Sequence, residues 1–168
     1  MESAGNVSIE ILSDLRVIYE EVMWLAKRPK VTPSVARGWY THLTSERLKK
    51  YIRRFTGFVS AKAISNVNSN LRLEHYKRIQ TTLTDLVKSH LQMSKNDPDE
   101  FVNTILECEK VHIVTATENY AAMKLKGDYA EAGIFLVKWD EIAFEVKRQL
   151  WIKMLLGKVA NANEFKVE

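Results

Sequence analysis

Val111-His112-Ile113-Val114-Thr115-Ala116 is the stretch on which the fold class turns. It is short and β-branched, and it reads as a strand in a chain whose other apolar residues mostly recur at helical spacing. Towards the C-terminus, Thr117-Glu118 opens a brief helix ending near Gly127. Gly133 then precedes a second strand at 134–139 (IFLVKW), and Asp140 caps a last helix that is apolar on more than one face. Towards the N-terminus, Asp97-Pro98-Asp99-Glu100 has the cap, the proline and the first-turn acids of a helix start, and that helix runs to about 109. A long helix is expected over 73–91, a turn over 66–70, and a short helix at 60–65. SERLKKYIRRF, 45–55, reads as a helix that Gly57 ends. Thr32 and Pro33 start another helix running towards Leu43, and the first helix covers 7–27. The expected fold is therefore mainly α: one domain over 1–168, of about six to seven helices, with a small two-stranded β element in its C-terminal third.

Composition narrows the function classes. Of 168 residues 46% are apolar, enough for a packed core and against disorder. One cysteine, Cys108, excludes a disulfide scaffold and falls among apolar helix positions, as a core thiol would. No apolar run approaches the ~18 residues of a membrane span, and MESAGNVSIE lacks the basic and apolar regions of a secretory signal, so a cytoplasmic setting is expected.

The net charge of +4 conceals a segregation. Residues 27–78 hold thirteen Lys and Arg against two acids, a net of +11, while the remainder holds twelve basic and nineteen acidic residues, a net of −7. A basic half at about 27–78 thus precedes an acidic half at about 79–168. In the helix expected at 45–55, Arg47, Lys50 and Arg54 fall on one face beside a row of Lys49 and Arg53. With Lys62 and Arg72 they form a candidate nucleic-acid interface, because several neutralised phosphates release counterions and drive salt-dependent binding. The alternative is a helical interaction or regulatory module, of the toxin–antitoxin or phage-inhibitor kind, whose basic face meets an acidic protein. The last helix offers an oligomer surface in either case.

Glu74-His75 closes LRLEH, which is followed by a helix, VHIVTATEN and YAEAGIFLV. Over 71–137 this order resembles small bacterial HNH-type nuclease-like proteins. The resemblance implies a metal-dependent phosphodiesterase of bacterial or phage origin. His75 would be the general base, Glu74 a metal ligand or orienting group, and Mg²⁺ the ion stabilising the leaving oxygen. The alternative is that both are surface residues at a helix start. Arg37 and His42 also fit the R-x₄-H spacing of HEPN ribonucleases, which implies a phosphodiester contact. His42, His75, His90 and His112 show no metal-ligand spacing, so a zinc site is not expected.

Overall fold

The computed structural model describes residues 7–167. In chain order the elements are α1 (Ile9–Ala26), α2 (Pro33–Gly38), α3 (Ser45–Ile52), β1 (Arg54–Ser60), α4 (Ala61–Ser65), β2 (Leu71–His75), α5 (Ile79–Gln92), α6 (Pro98–Cys108), β3 (Lys110–Thr115), α7 (Ala116–Lys124), β4 (Leu136–Lys138) and α8 (Phe144–Leu150). Helix dominates, as expected. Two compact units are formed: one by the segment ending at Ile52 with Ile79–Cys108, the other by Arg53–Arg78 with the segment beginning at Glu109. The turn expected at 66–70 falls inside the second unit.

The first unit is helical. Ser8 and Thr32 cap α1 and α2 by accepting from the N–H groups of Ile11 and Val35, and Pro33 occupies the first turn of α2, where its missing N–H costs nothing. After α2 the chain widens into a π-helical stretch, Trp39–Thr44, before α3. Leu15, Ile18, Tyr19 and Val22 of α1 pack with Tyr40, Leu48, Leu83, Val87, Phe101 and Ile105, all fully buried. One polar chain crosses this core: the Tyr19 hydroxyl lies 2.7 Å from His90 Nδ1, and His90 Nε2 lies 2.8 Å from Glu100. With Glu100 accepting from Nε2–H, Nδ1 accepts from the tyrosine, so the buried imidazole is satisfied at both nitrogens.

The second unit is built on a four-stranded mixed sheet of order β2-β3-β1-β4. This corrects the two-stranded element expected from the sequence. The two strands expected there, β3 and β4, are not even neighbours, because β1 lies between them. The two additional strands replace segments whose spacing favours helix. The 45–55 helix ends at Ile52, and Arg54–Ser60 forms β1, parallel to β3 and antiparallel to β4. Gly57 does not stop a helix. It takes φ +86° where the β1–β3 register shifts, a conformation that L side chains disfavour. The 73–91 helix likewise begins only at Ile79, and Leu71–His75 forms β2, antiparallel to β3. Asp140 lies in a 3₁₀ turn rather than capping the last helix, which starts at Phe144.

One face of the sheet, with Phe55, Val59, Leu71, Val111 and Ile113, packs on Trp139, Ile142, Leu150, Met154 and Leu155. The other face carries Val114 with Ala122 and Ile134. At the carboxyl ends of the parallel strands one carboxylate oxygen, Glu118 Oε2, accepts from the Ser60 hydroxyl at 2.5 Å and the Thr115 N–H at 2.9 Å. It thereby ties β1 and β3 together above a capping box.

β4 covers only Phe58–Ser60, and Asn161 completes the same edge of β1 lower down. Its Oδ1 accepts from Phe55 N–H at 2.8 Å, and its Nδ2 donates to Phe55 C=O at 2.9 Å. Asn161→Ala leaves two buried backbone groups without partners and is expected to cost about 2–4 kcal/mol. Urea unfolding would show this as a lower midpoint at unchanged slope, and an unmoved midpoint would contradict the edge-completing role.

Candidate functional site

Strand register assembles the most reactive group of side chains. Pairing of Arg54 with Lys110 sets Arg53 beside Glu109 just below β1 and β3. Pairing of His75 with Val111 brings the end of β2 to the same place. His75 Nε2 lies 3.0 Å and Arg53 Nε 3.3 Å from the same oxygen, Glu109 Oε2. Glu109 is 2% exposed, and burial raises its carboxyl, but the hydrogen bond and charge of His75 and the Arg53 guanidinium outweigh this and hold it below the usual range. Glu109 therefore stays a carboxylate and accepts from His75 Nε2–H, the tautomer of the neutral imidazole in which the lone pair sits on Nδ1. That nitrogen has no partner among the described residues and is not sealed in the interior, since His75 keeps 27% of its side chain exposed.

Glu74 does not join this group. Alternation along β2 sends it to the opposite face of the sheet from His75. There it faces His112 across the strand pair and accepts from the Tyr129 hydroxyl. Both residues are buried. Burial pushes the Glu74 carboxyl up to about 7, with Arg78 opposing, and pushes the His112 imidazole down to about 4. His112 contacts Thr56 Oγ1 at 2.5 Å and sits among the rings of Phe58, Tyr76 and Tyr129. The resemblance sets Glu74 beside His75 in one site, and the alternative makes both surface residues at a helix start; the structure does neither, and Glu74 is buried. They lie on a strand, and the period of two separates them.

The cations fare differently from one another. Arg53 and Arg54 lie beyond α3, so the single helical face carrying Arg47, Lys49, Lys50, Arg53 and Arg54 is not formed. Arg47 pairs in fork geometry with Asp14, Lys49 with Glu46 at 2.8 Å, and Arg54 with Glu164 at 2.7 Å. Lys50 lies over the Tyr51 ring at 4.8 Å. Arg72 donates to Asn70 Oδ1, and neither it nor Lys62 nor Lys77 meets a carboxylate among the described residues. Lys62 lines a cavity of about 330 Å³ with Asn66, Asn70, Thr115 and Thr117, at the carboxyl ends of β1 and β3. Arg37 and His42 do meet in the helical unit, with Nη1 3.3 Å from Nε2. Cys108 is buried.

Among the described residues no group of three or more His, Cys, Asp and Glu side chains is placed to hold a metal ion. With Glu74 and His75 on opposite faces, the donor set does not fit the divalent ion that the HNH resemblance implies. Glu109 and Arg53, the partners of His75, were out of reach of motif reading, because 34 residues separate His75 from Glu109 and only the β2–β3 pairing joins them. No helix is long and apolar enough to cross a membrane among the described residues. No family model, curated protein or solved structure matches the chain.

The Glu74–His112 pair makes a stability prediction. Glu74 binds a proton more tightly folded than unfolded, so it removes up to about 3 kcal/mol as pH rises from roughly 4.5 to about 7. His112 binds its proton less tightly folded, so its contribution is lost as pH falls from about 6.5 to about 4. The two slopes oppose each other between about 4.5 and 6.5. In Glu74→Gln the first slope disappears, so stability should climb with pH across that window and exceed wild type at pH 8. Chemical denaturation at a series of pH values checks this, and parallel wild-type and variant profiles would refute it.

Proposed function

We propose that the protein acts on a phosphodiester polyanion, a nucleic acid, along the edge strand β2, with His75 as the proton-transfer group. One observation carries this reading: an imidazole fixed by a buried carboxylate, with its second nitrogen turned to solvent, is the arrangement of a general base. The surroundings suit a phosphate substrate. Lys77 follows His75 just past the edge strand, while Arg72 lies on the face of β2 that Glu74 shares, and neither is neutralised by a carboxylate among the described residues. Arg53, which shares Glu109 Oε2, adds positive charge at the base itself. In this reading Nδ1 takes a proton from the attacking hydroxyl or water, that oxygen bonds to phosphorus, and the P–O bond to the leaving oxygen breaks. The leaving oxygen is protonated by solvent.

The polyanion contacts shift accordingly. Of the cations that the charge pattern singles out, Lys62 and Arg72 remain the best phosphate contacts, joined by Lys77, whereas Arg47, Lys49 and Arg54 are engaged by acids of their own unit. Exposed ion pairs of that kind are weak, roughly 0–1 kcal/mol, so they lower the attraction for phosphate without abolishing it.

The second reading, a protein-interaction module, draws support from exposed Phe144, Ile152 and Leu156 at the C-terminal helical turns. Sedimentation of wild type against Phe144→Glu tests its self-association form: self-association abolished by the charge favours an apolar contact between copies, and a monomer in both removes that contact.

For the leading reading, the purified chain is incubated with labelled single- and double-stranded RNA and DNA across a salt series. His75→Ala should lower cleavage about 10²-fold or more and Glu109→Gln by a smaller factor, with binding retained. Arg72→Glu with Lys77→Glu should weaken binding and flatten the dependence of log K on log salt by about one for each cation removed. Cleavage undiminished in His75→Ala, or neither binding nor cleavage by wild type, would overturn the proposal.

A further inference from the structure

We infer that the helical unit carries a second, separate binding site, for a small organic carboxylate with an aromatic or aliphatic body, seated on Arg37. Arg37 is 8% exposed, yet no carboxylate among the described residues pairs with it. Its Nε donates to Thr84 Oγ1 at 3.2 Å, and its Nη1 donates to Thr41 Oγ1 at 2.7 Å and to His42 Nε2 at 3.3 Å. All three acceptors are neutral oxygens or an imidazole nitrogen. A guanidinium keeps its charge at any ordinary pH, and an enclosed charge without a counterion is costly, so most are paired. The enclosed Arg53 of the other unit follows that rule with Glu109. Arg37 breaks it. The remaining nitrogen, Nη2, has no partner among the described residues and is not sealed inside, and Arg37 lines an open cavity of about 660 Å³.

The walls of that cavity say what kind of anion fits. Leu25, Val35, Trp39 and Leu43 make most of it apolar, and its volume is in the range that encloses a small organic molecule. His42 supplies a second donor, because Nε2 accepts from Arg37 and the ring proton must then sit on Nδ1. One positive charge and one neutral donor match a monoanion with two oxygens. A phosphate dianion would bring a second charge that nothing in the cavity offsets.

Local backbone supports a constructed site. Trp39 and His42 both lie on the π-helical stretch Trp39–Thr44, a wide turn that is rare in helices and concentrates at functional sites. Gly38 precedes it, and a Cβ there would lie 3.2 Å from His42 Cδ2, so a larger residue would make the ring give way by a few tenths of an ångström. The indole N–H of Trp39 donates to Glu21 at 2.7 Å, which fixes the ring that forms one wall.

Isothermal titration of the full chain with 1-naphthoate, its neutral amide 1-naphthamide, 1-naphthyl phosphate and acetate tests the assignment. The expected result is one naphthoate site per chain, with naphthamide and acetate at least about tenfold weaker and the phosphate ester no tighter than naphthoate. Arg37→Gln should cost at least about tenfold. Because Arg37 also braces α5 through Thr84, Val35→Asp serves beside it. Val35 is exposed, so the substitution leaves the core intact while placing a negative charge at the rim, and it should weaken naphthoate by a several-fold larger factor than naphthamide, which loses only the apolar contact. No naphthoate binding up to about 1 mM, equal affinity for acid and amide, a preference for the phosphate ester, or full binding in both variants would each overturn it.

Discussion

Parallel pairing of β1 with β3 is the contact on which the second unit depends. Parallel neighbours cannot be joined by a tight turn, and here some fifty residues of chain lie between the two strands. β2 sits on the outer side of β3 and β4 on the outer side of β1, so both edges are defined by that central pair. Its register decides what meets at each end. At the amino end, Arg53 and Glu109 are neighbours because they precede paired residues, and β2 arrives antiparallel with His75 at its last position. At the carboxyl end, Ser60 and Thr115 both donate to Glu118 Oε2, which joins the two strands there.

The charge pattern acquires a different meaning once the ion pairs are known. A segment of +11 in sequence suggests one continuous basic face. In the structure the chain passes from one compact unit to the other at Ile52 and Arg53, in the middle of the basic run. Arg47 and Lys49 then find acids in the helical unit, and Arg53 and Arg54 find acids in the sheet unit. These pairs differ in kind. Arg47–Asp14 and Arg54–Glu164 are exposed and contribute little, whereas Glu109 is buried and would lose two hydrogen-bond partners if Arg53 and His75 were removed. Segregation of charge along the chain thus partly reports which residues pair across the fold, and cations that meet no acid among the described residues, such as Lys62, Arg72 and Lys77 in the sheet unit and Arg37 in the helical unit, are more informative than the total.

Much of the helical unit was legible in the sequence. Leu15, Ile18 and Val22 recur at helical spacing, Thr32-Pro33 marks a helix start and Asp97-Pro98 another, and each signal is local because capping and amphipathic periodicity involve residues a few positions apart. β3 was legible too, since a strand buried on both faces reads as a β-branched run. β1 and β2 were not. Arg53-Arg54-Phe55 continues the spacing of α3, and Leu73 with Tyr76 and Ile79 mimics a helical stripe, so periodicity alone favours helix on both sides of the true boundaries. What makes these segments strands is hydrogen bonding to β3, which carries no local mark. The same holds for the candidate site: Glu74-His75 stands out as a dipeptide, but strand alternation parts the two, and the partners that hold His75 come from elsewhere in the sheet.

The sequence by itself determined that the chain is mainly helical, where most helices start, that Val111 to Thr115 is a strand, and that positive charge gathers in 27–78. Tertiary structure alone decided that there are four strands, that His75 rather than Glu74 faces solvent with a carboxylate behind it, and that Arg37 is enclosed without a counterion among the described residues. The physical reason is range. Caps, prolines and amphipathic stripes act within a turn or two of helix, whereas strand register, ion pairing and burial of a charge depend on residues tens of positions apart.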